Sequence, residues 1–153
     1  MKRVLLIVAI FIVCVGGFLQ TSCSTAASPS GITSESEAGS GNTGDAIFSR
    51  AFADRLDNLE VEGQGTVSGL LADDVDGDRH QRFIITLASG QTLLVSHNID
   101  IAPRVDSLQV GDPIAFKGEY AWNEQGGVIH WTHHDPDGRH EPGWIKHGGQ
   151  TYQ

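Results

Sequence analysis

The sequence predicts a mainly β domain, a small five-stranded barrel entered through an amphipathic helix. Two observations carry this. Apolar residues recur at helical spacing only as far as Leu59. Beyond it they alternate in short runs separated by Gly, Asp and Ser, the pattern of half-buried strands joined by tight turns.

The helix comes first. Phe48, Phe52, Leu56 and Leu59, with Ile47 and Ala51 beside them, repeat at three and four residues and form one apolar stripe. Asp45 is placed to cap its start. Strands are expected at about 63–71, 82–88, 91–98, 114–122 and 127–133. The fourth alternates most cleanly, with Ile114, Phe116, Tyr120 and Trp122 on one face and Lys117 and Glu119 on the other. Between the third and fourth, residues 102–108 are expected to form a short helix. Three strands, a short helix and two strands is the order of an OB-like barrel, the oligonucleotide- and oligosaccharide-binding architecture. One such domain is expected over residues 45–153.

The amino terminus reads as an export signal over residues 1–22. Lys2 and Arg3 precede an almost wholly apolar stretch, 4–18, and a small polar segment that ends at Cys23. A single uncleaved anchor is the alternative, but a spanning helix needs about 20 apolar residues and this run stops sooner. Leu19-Gln20-Thr21-Ser22-Cys23 resembles a bacterial lipoprotein box with Cys23 as the lipidated residue, although Gln20 stands where an aliphatic side chain is usual. If the box is not used, cleavage after Ala26 or Ala27 gives a soluble product. That resemblance implies a membrane partner reached through a lipid anchor, and Ser24 implies the outer membrane, with the domain facing the periplasm. Cys14 lies inside the signal, so the mature chain has no second cysteine for an internal disulfide. Residues 23–44, rich in Ser, Gly, Ala and Thr, have the composition of a flexible tether spanning about 25 Å.

The whole chain carries a formal charge of −9, and removing Lys2 and Arg3 leaves 8 basic against 19 acidic residues, a net −11 with neutral histidines. That balance argues against nucleic acid as a partner, because a nucleic-acid binder presents a basic face.

The candidate chemistry lies in the histidines. If Ser89-Gly90 is a two-residue hairpin loop, counting outward places Arg82 opposite His97 and puts His80, Arg82 and His97 on one face, with Asp100 closing the group. A three-residue loop breaks this register. An arginine beside two imidazoles opposes their protonation and disfavours a metal, so the quartet reads as a pocket for a polar or anionic ligand. The alternative pairs Arg82 with Asp100 and leaves the histidines capping strand ends. Five of the seven histidines fall between His130 and His147. His130, His133, His134 and Asp135 are the candidate metal ligands, for a divalent transition metal such as zinc. An extended strand keeps His130 and His134 about 13 Å apart, so a shared ion needs a bulge near His133 or ligands from the following loop. The competing reading is a solvated His-rich tail held down by Trp144 and Tyr152. The acidic run Asp73 to Asp78 lacks the glycine and glutamate positions of a calcium loop and reads as a solvated turn.

The strings Arg79-His80-Gln81-Arg82-Phe83, His97-Asn98-Ile99-Asp100, Gly118-Glu119-Tyr120 and Gly127-Val128-Ile129-His130-Trp131-Thr132-His133-His134-Asp135-Pro136 resemble the bacterial proteins grouped as domain of unknown function 3465, over residues 61–152. The resemblance implies an exported bacterial protein and brings no catalytic residues with it. From the residues, the expected function is an envelope-anchored binding module for a polar or anionic ligand. The alternative is a metal-assisted or histidine-based hydrolase of the cell envelope, nuclease-like by analogy, and a structural envelope protein is a third reading. Lipidation at Cys23 makes Cys23→Ala release the protein from membranes. Fractionation that finds Cys23→Ala still fully membrane-bound would refute it.

Overall fold

The computed structural model describes residues 41–153. The expected signal, Cys23 and residues 23–40 of the tether lie outside the described residues. Helix α1 spans Gly41–Ala53, followed by β1 (Leu59–Leu70), β2 (His80–Thr86), β3 (Thr92–Asn98), β4 (Pro113–Ala121), β5 (Val128–His130), β6 (Trp144–His147) and β7 (Gln150–Tyr152). Five strands close into a barrel in the order β1-β2-β3-β5-β4, with β4 returning to β1. All barrel pairs are antiparallel except β3 with β5. Among the described residues, no helix is long and apolar enough to cross a membrane.

Closure depends on β1 serving two partners. Leu59 to Thr66 pair with β4, and Thr66 to Leu70 pair with β2 through a register shift between Val67 and Gly69. Gly63 makes the tight coil possible, because a Cβ there would lie 2.8 Å from the Phe48 ring. The interior is filled by alternate residues of each strand, among them Val61, Val67, Phe83, Ile85, Leu93, Val95, Phe116, Tyr120 and Ile129, all buried.

The helix differs from its sequence pattern. Only Phe48 and Ala51 of the stripe are fully buried, Phe48 tilting against Phe116 and Tyr120, while Ile47, Phe52 and Leu56 stay partly exposed. The helix stops at Ala53 because Arg55 takes a left-handed conformation (φ 54°). Leu56 N then bonds to Ala51 O and Arg55 N to Phe52 O, the hydrogen-bond pair of a Schellman cap. Leu59 therefore belongs to β1. Asp45 lies inside the helix, which already starts at Gly41 within the expected tether, and accepts the backbone N–H of Ser89, tying α1 to the β2–β3 hairpin.

No helix forms between β3 and β4. The Gln81 side chain takes both backbone groups of Val105, donating to its carbonyl at 2.9 Å and accepting its N–H at 2.8 Å, and Ser107 is left-handed. A helix would need those groups for its own bonds.

The fifth expected strand ends early and resumes. β5 pairs with β4 from Ala121 to Glu119, and β6 continues along the same edge from Lys117 to Ala115. Between them residues 131–143 are thrown out as a loop that starts with Trp131 in a left-handed conformation (φ 53°). Gly118 faces the break, and a Cβ there would sit 2.4 Å from His130 O. At the loop base, a Cβ on Gly143 would lie 1.9 Å from Trp131 O and 2.7 Å from Lys117 O. The expected solvated tail is instead an ordered hairpin, β6–β7, with Ile145 and Tyr152 buried in the core.

Gly143→Ala is expected to cost at least about 2 kcal/mol in denaturant unfolding, because backbone must move to admit one methyl group. Gly44→Ala, on a helix position with open space around it, should be neutral or stabilise by up to about 1 kcal/mol. Equal effects would show that the loop base is not pinched.

Candidate functional site

The β2–β3 hairpin decides which side chains meet. Leu87 pairs with Gln91 through Leu87 N–H to Gln91 O, so three residues, Ala88 to Gly90, form the loop, with Gly90 at φ 87°. His97 consequently lies opposite Gln81, and Arg82 lies opposite Ser96. This one-residue slip overturns the expected common face of His80, Arg82 and His97, because side chains alternate along a strand. His97 turns into the barrel and is fully buried, while His80 and Arg82 stay on the outer face. Asp100 joins neither. It accepts the backbone N–H and the guanidinium of Arg79, both at 2.7 Å, and this pairing holds its carboxyl below the usual range. Arg82 donates to Ala72 O at 3.1 Å and faces Asp74 at 3.7 Å.

His97 has become a structural group. Its Nε2 lies 3.1 Å from Pro103 O, and a carbonyl only accepts, so that nitrogen carries the proton. Nδ1 then accepts the Thr132 hydroxyl at 2.8 Å. Burial lowers the His97 pKa to about 4.

The carboxyl-terminal candidates also separate. His134 is exposed. Asp135 is buried and accepts the backbone N–H groups of Asp137, Arg139 and His140, bonds that hold its carboxyl down to about 2 and organise the loop. Among the described residues, no three of His, Cys, Asp and Glu stand together at metal-holding distance.

The fold brings other residues together. On the outer surface a hollow of about 220 Å³ is lined by Asp78 and His80 before and on β2, Ser96 and Asn98 of β3, Ile101, His130 of β5, and Trp131 and His133 of the loop. The barrel register explains the row. Parallel pairing of Val95 with Ile129 sets Ser96 beside His130, and antiparallel pairing sets His130 opposite Glu119. The Glu119 carboxylate, buried under the loop, lies 3.3 Å from His130 Nε2 and 3.9 Å from His140 Nδ1. His140 stacks on Trp131 with ring centroids 3.8 Å apart. Burial lowers the His130 pKa, and the Glu119 charge opposes that shift.

Glu119, Ser96, Asn98 and Trp131 were missed as site residues. The alternation of the fourth strand already placed Glu119 outward, so its pairing with His130 is the only additional information needed. A larger hollow of about 580 Å³ opens beside Gln64, Thr66, Thr86, Ala115 and Lys146. Its lining is mostly small side chains, its His147 is tied to Asp112 at 2.9 Å and its Lys146 ammonium lies 3.9 Å over the Trp144 ring, so the smaller hollow gathers more of the histidines.

Fold and site together define a small closed β-barrel whose outer face carries a histidine-lined hollow. The chain belongs to the family described as protein of unknown function DUF3465, which it matches over residues 34–153. Comparison with curated proteins gives no match.

The buried neutral His97 makes stability depend on pH. Its folded pKa lies below the ordinary 6.5, so on acidification from 6.5 towards 4 the unfolded chain takes up a proton that the folded chain refuses. Stability is intact above pH 6.5 and falls by up to about 3 kcal/mol as pH drops through this window, with His130 adding in the same direction. His97→Gln should start less stable but show a shallower decline between pH 6.5 and 4.5 in thermal melts. An unchanged slope would place the titration elsewhere.

Proposed function

We propose that the protein is an envelope-anchored binding module that seats an uncharged polar ligand in the hollow between β2, β3, β5 and the 131–143 loop. The carrying observation is the lining itself: Ser96, Asn98, His80, His130 and His133 supply hydrogen-bonding groups beside one aromatic residue, Trp131. Few well-placed polar groups beside an aromatic surface is the usual composition of a small-molecule site. The volume, about 220 Å³, is below the roughly 300 Å³ of the smallest drug-sized sites and suits a single ring or short chain. An anion fits less well. No arginine or lysine lines the hollow, and Arg82 is held outside it by Ala72 and Asp74.

The barrel is read as OB-like. Its closed order β1-β2-β3-β5-β4, with β3 parallel to β5, supports that class, and turns replace the helix between β3 and β4. The acidic balance of the chain supports a ligand other than nucleic acid. The apolar leader and Cys23 support tethering to the envelope through lipid.

Titration of the isotopically labelled full chain with glucose, N-acetylglucosamine and glycerol, against inorganic phosphate, tests this reading by NMR. Neutral polyhydroxyl compounds should shift the amides of Ser96, Asn98, His130 and Trp131, and phosphate should not. Ser96→Val should weaken binding by about five- to tenfold, the worth of one hydrogen bond. Shifts confined to the groove at Gln64 and Thr66, or preference for phosphate, would overturn it.

A further inference from the structure

Three histidines from distant parts of the chain, His80 on β2, His130 on β5 and His133 in the loop, line the same hollow. Two of them commit one ring nitrogen to a carbonyl oxygen. His80 Nδ1 lies 2.8 Å from Asp78 O and His133 Nδ1 lies 2.9 Å from His134 O. A carbonyl only accepts, so both nitrogens carry the proton. His130 Nε2 faces the Glu119 carboxylate at 3.3 Å, a charge contact rather than a hydrogen bond. Nε2 of His80, Nε2 of His133 and Nδ1 of His130 have no hydrogen-bond partner among the described residues, and the first two carry lone pairs. Among the described residues no fully buried side-chain nitrogen lacks a partner, so these three are not sealed inside the protein.

An imidazole whose far nitrogen donates to a carbonyl or carboxylate is how proteins orient a metal ligand and fix its tautomer. We propose that the hollow binds a divalent transition metal through His80, His130 and His133, with Glu119 orienting His130 and a fourth position open towards Ser96. This deepens and rests on the binding reading above, since the open position takes an oxygen of the polar ligand. Three neutral imidazoles without thiolate suit zinc, copper or nickel rather than calcium or magnesium. Three protein ligands with a fourth position open to water or substrate is the arrangement of catalytic zinc sites, whereas structural sites are closed by four. The set differs from the one expected from sequence. His134 is exposed, and the Asp135 oxygens are spent on backbone N–H groups, whereas His80 joins from the opposite side of the barrel face. The rings do not yet stand at metal-holding distance. Binding therefore draws the partly exposed His80 and His130 rings by side-chain rotation towards His133, which is buried and held at Nδ1 by His134 O.

The test is titration of the untagged, chelator-treated full chain with zinc chloride alone, followed by calorimetry, and with cobalt chloride, followed by visible absorption. One equivalent of zinc and the intense bands of tetrahedral cobalt are expected. His80→Ala and His130→Ala should each lower zinc affinity at least tenfold, and Glu119→Gln by about 10- to 100-fold. His134→Ala should bind as the unaltered chain does. His80 projects from the outer face, so its variant carries the test even if His130→Ala fails to fold, with a melting curve as the check. Absence of stoichiometric binding, or unaltered affinity in His80→Ala, overturns the proposal. Zinc is read without any other ligand, so polyhydroxyl binding by the metal-free chain together with no zinc binding would defeat this inference alone. Zinc binding with no polyhydroxyl binding would defeat the ligand reading while the metal site stands.

Discussion

One edge of β4 sets the arrangement of the site. Two strands share that edge, β5 beside Glu119 to Ala121 and β6 beside Ala115 to Lys117, and there is no side chain at Gly118 where they meet. The chain leaves the sheet at Trp131 and re-enters at Gly143, whose hydrogen bond to His133 O closes the loop base at 3.0 Å. Because the backbones approach this closely only without a Cβ, the loop has little freedom to slide along the barrel. That excursion carries Trp131, His133 and the Trp131–His140 stack to the hollow.

Polar contacts then fasten the loop from both sides. Within the barrel, His97 bridges the Thr132 hydroxyl at the start of the loop and Pro103 O in the β3–β4 connection, while Gln81 holds Val105 of the same connection by two bonds. Outside it, Glu119 lies under His130 and His140. A buried polar group without a partner is costly, and among the described residues no fully buried side-chain polar atom lacks one. The two connections are thereby joined to each other through a single imidazole.

The functional reading follows from this economy of placement. Loops positioned by a rigid barrel commonly carry binding groups, and here a loop aromatic and a loop histidine meet strand residues whose row is dictated by sheet register. The Nδ1 atoms of His80 and His133, each bonded to a carbonyl oxygen, leave Nε2 lone pairs at the hollow that His130 also lines, a coincidence that the barrel core does not require.

Sequence alone determined the class of fold. Alternation in five runs placed the barrel strands to within a few residues, because burial of every second side chain is a local property of the strand. It also marked the histidines as the chemistry of the chain and Glu119 as outward-facing. The partners were decided by tertiary structure. One additional loop residue between β2 and β3 sent His97 into the core and away from Arg82, since a single step of register reverses every side chain. No local pattern reveals that step, nor that Gln81 would take the backbone bonds needed by the expected helix at 102–108. The gathering of His80 with His130 and His133 depends on β3 lying parallel to β5, a pairing that exists only once the barrel has closed.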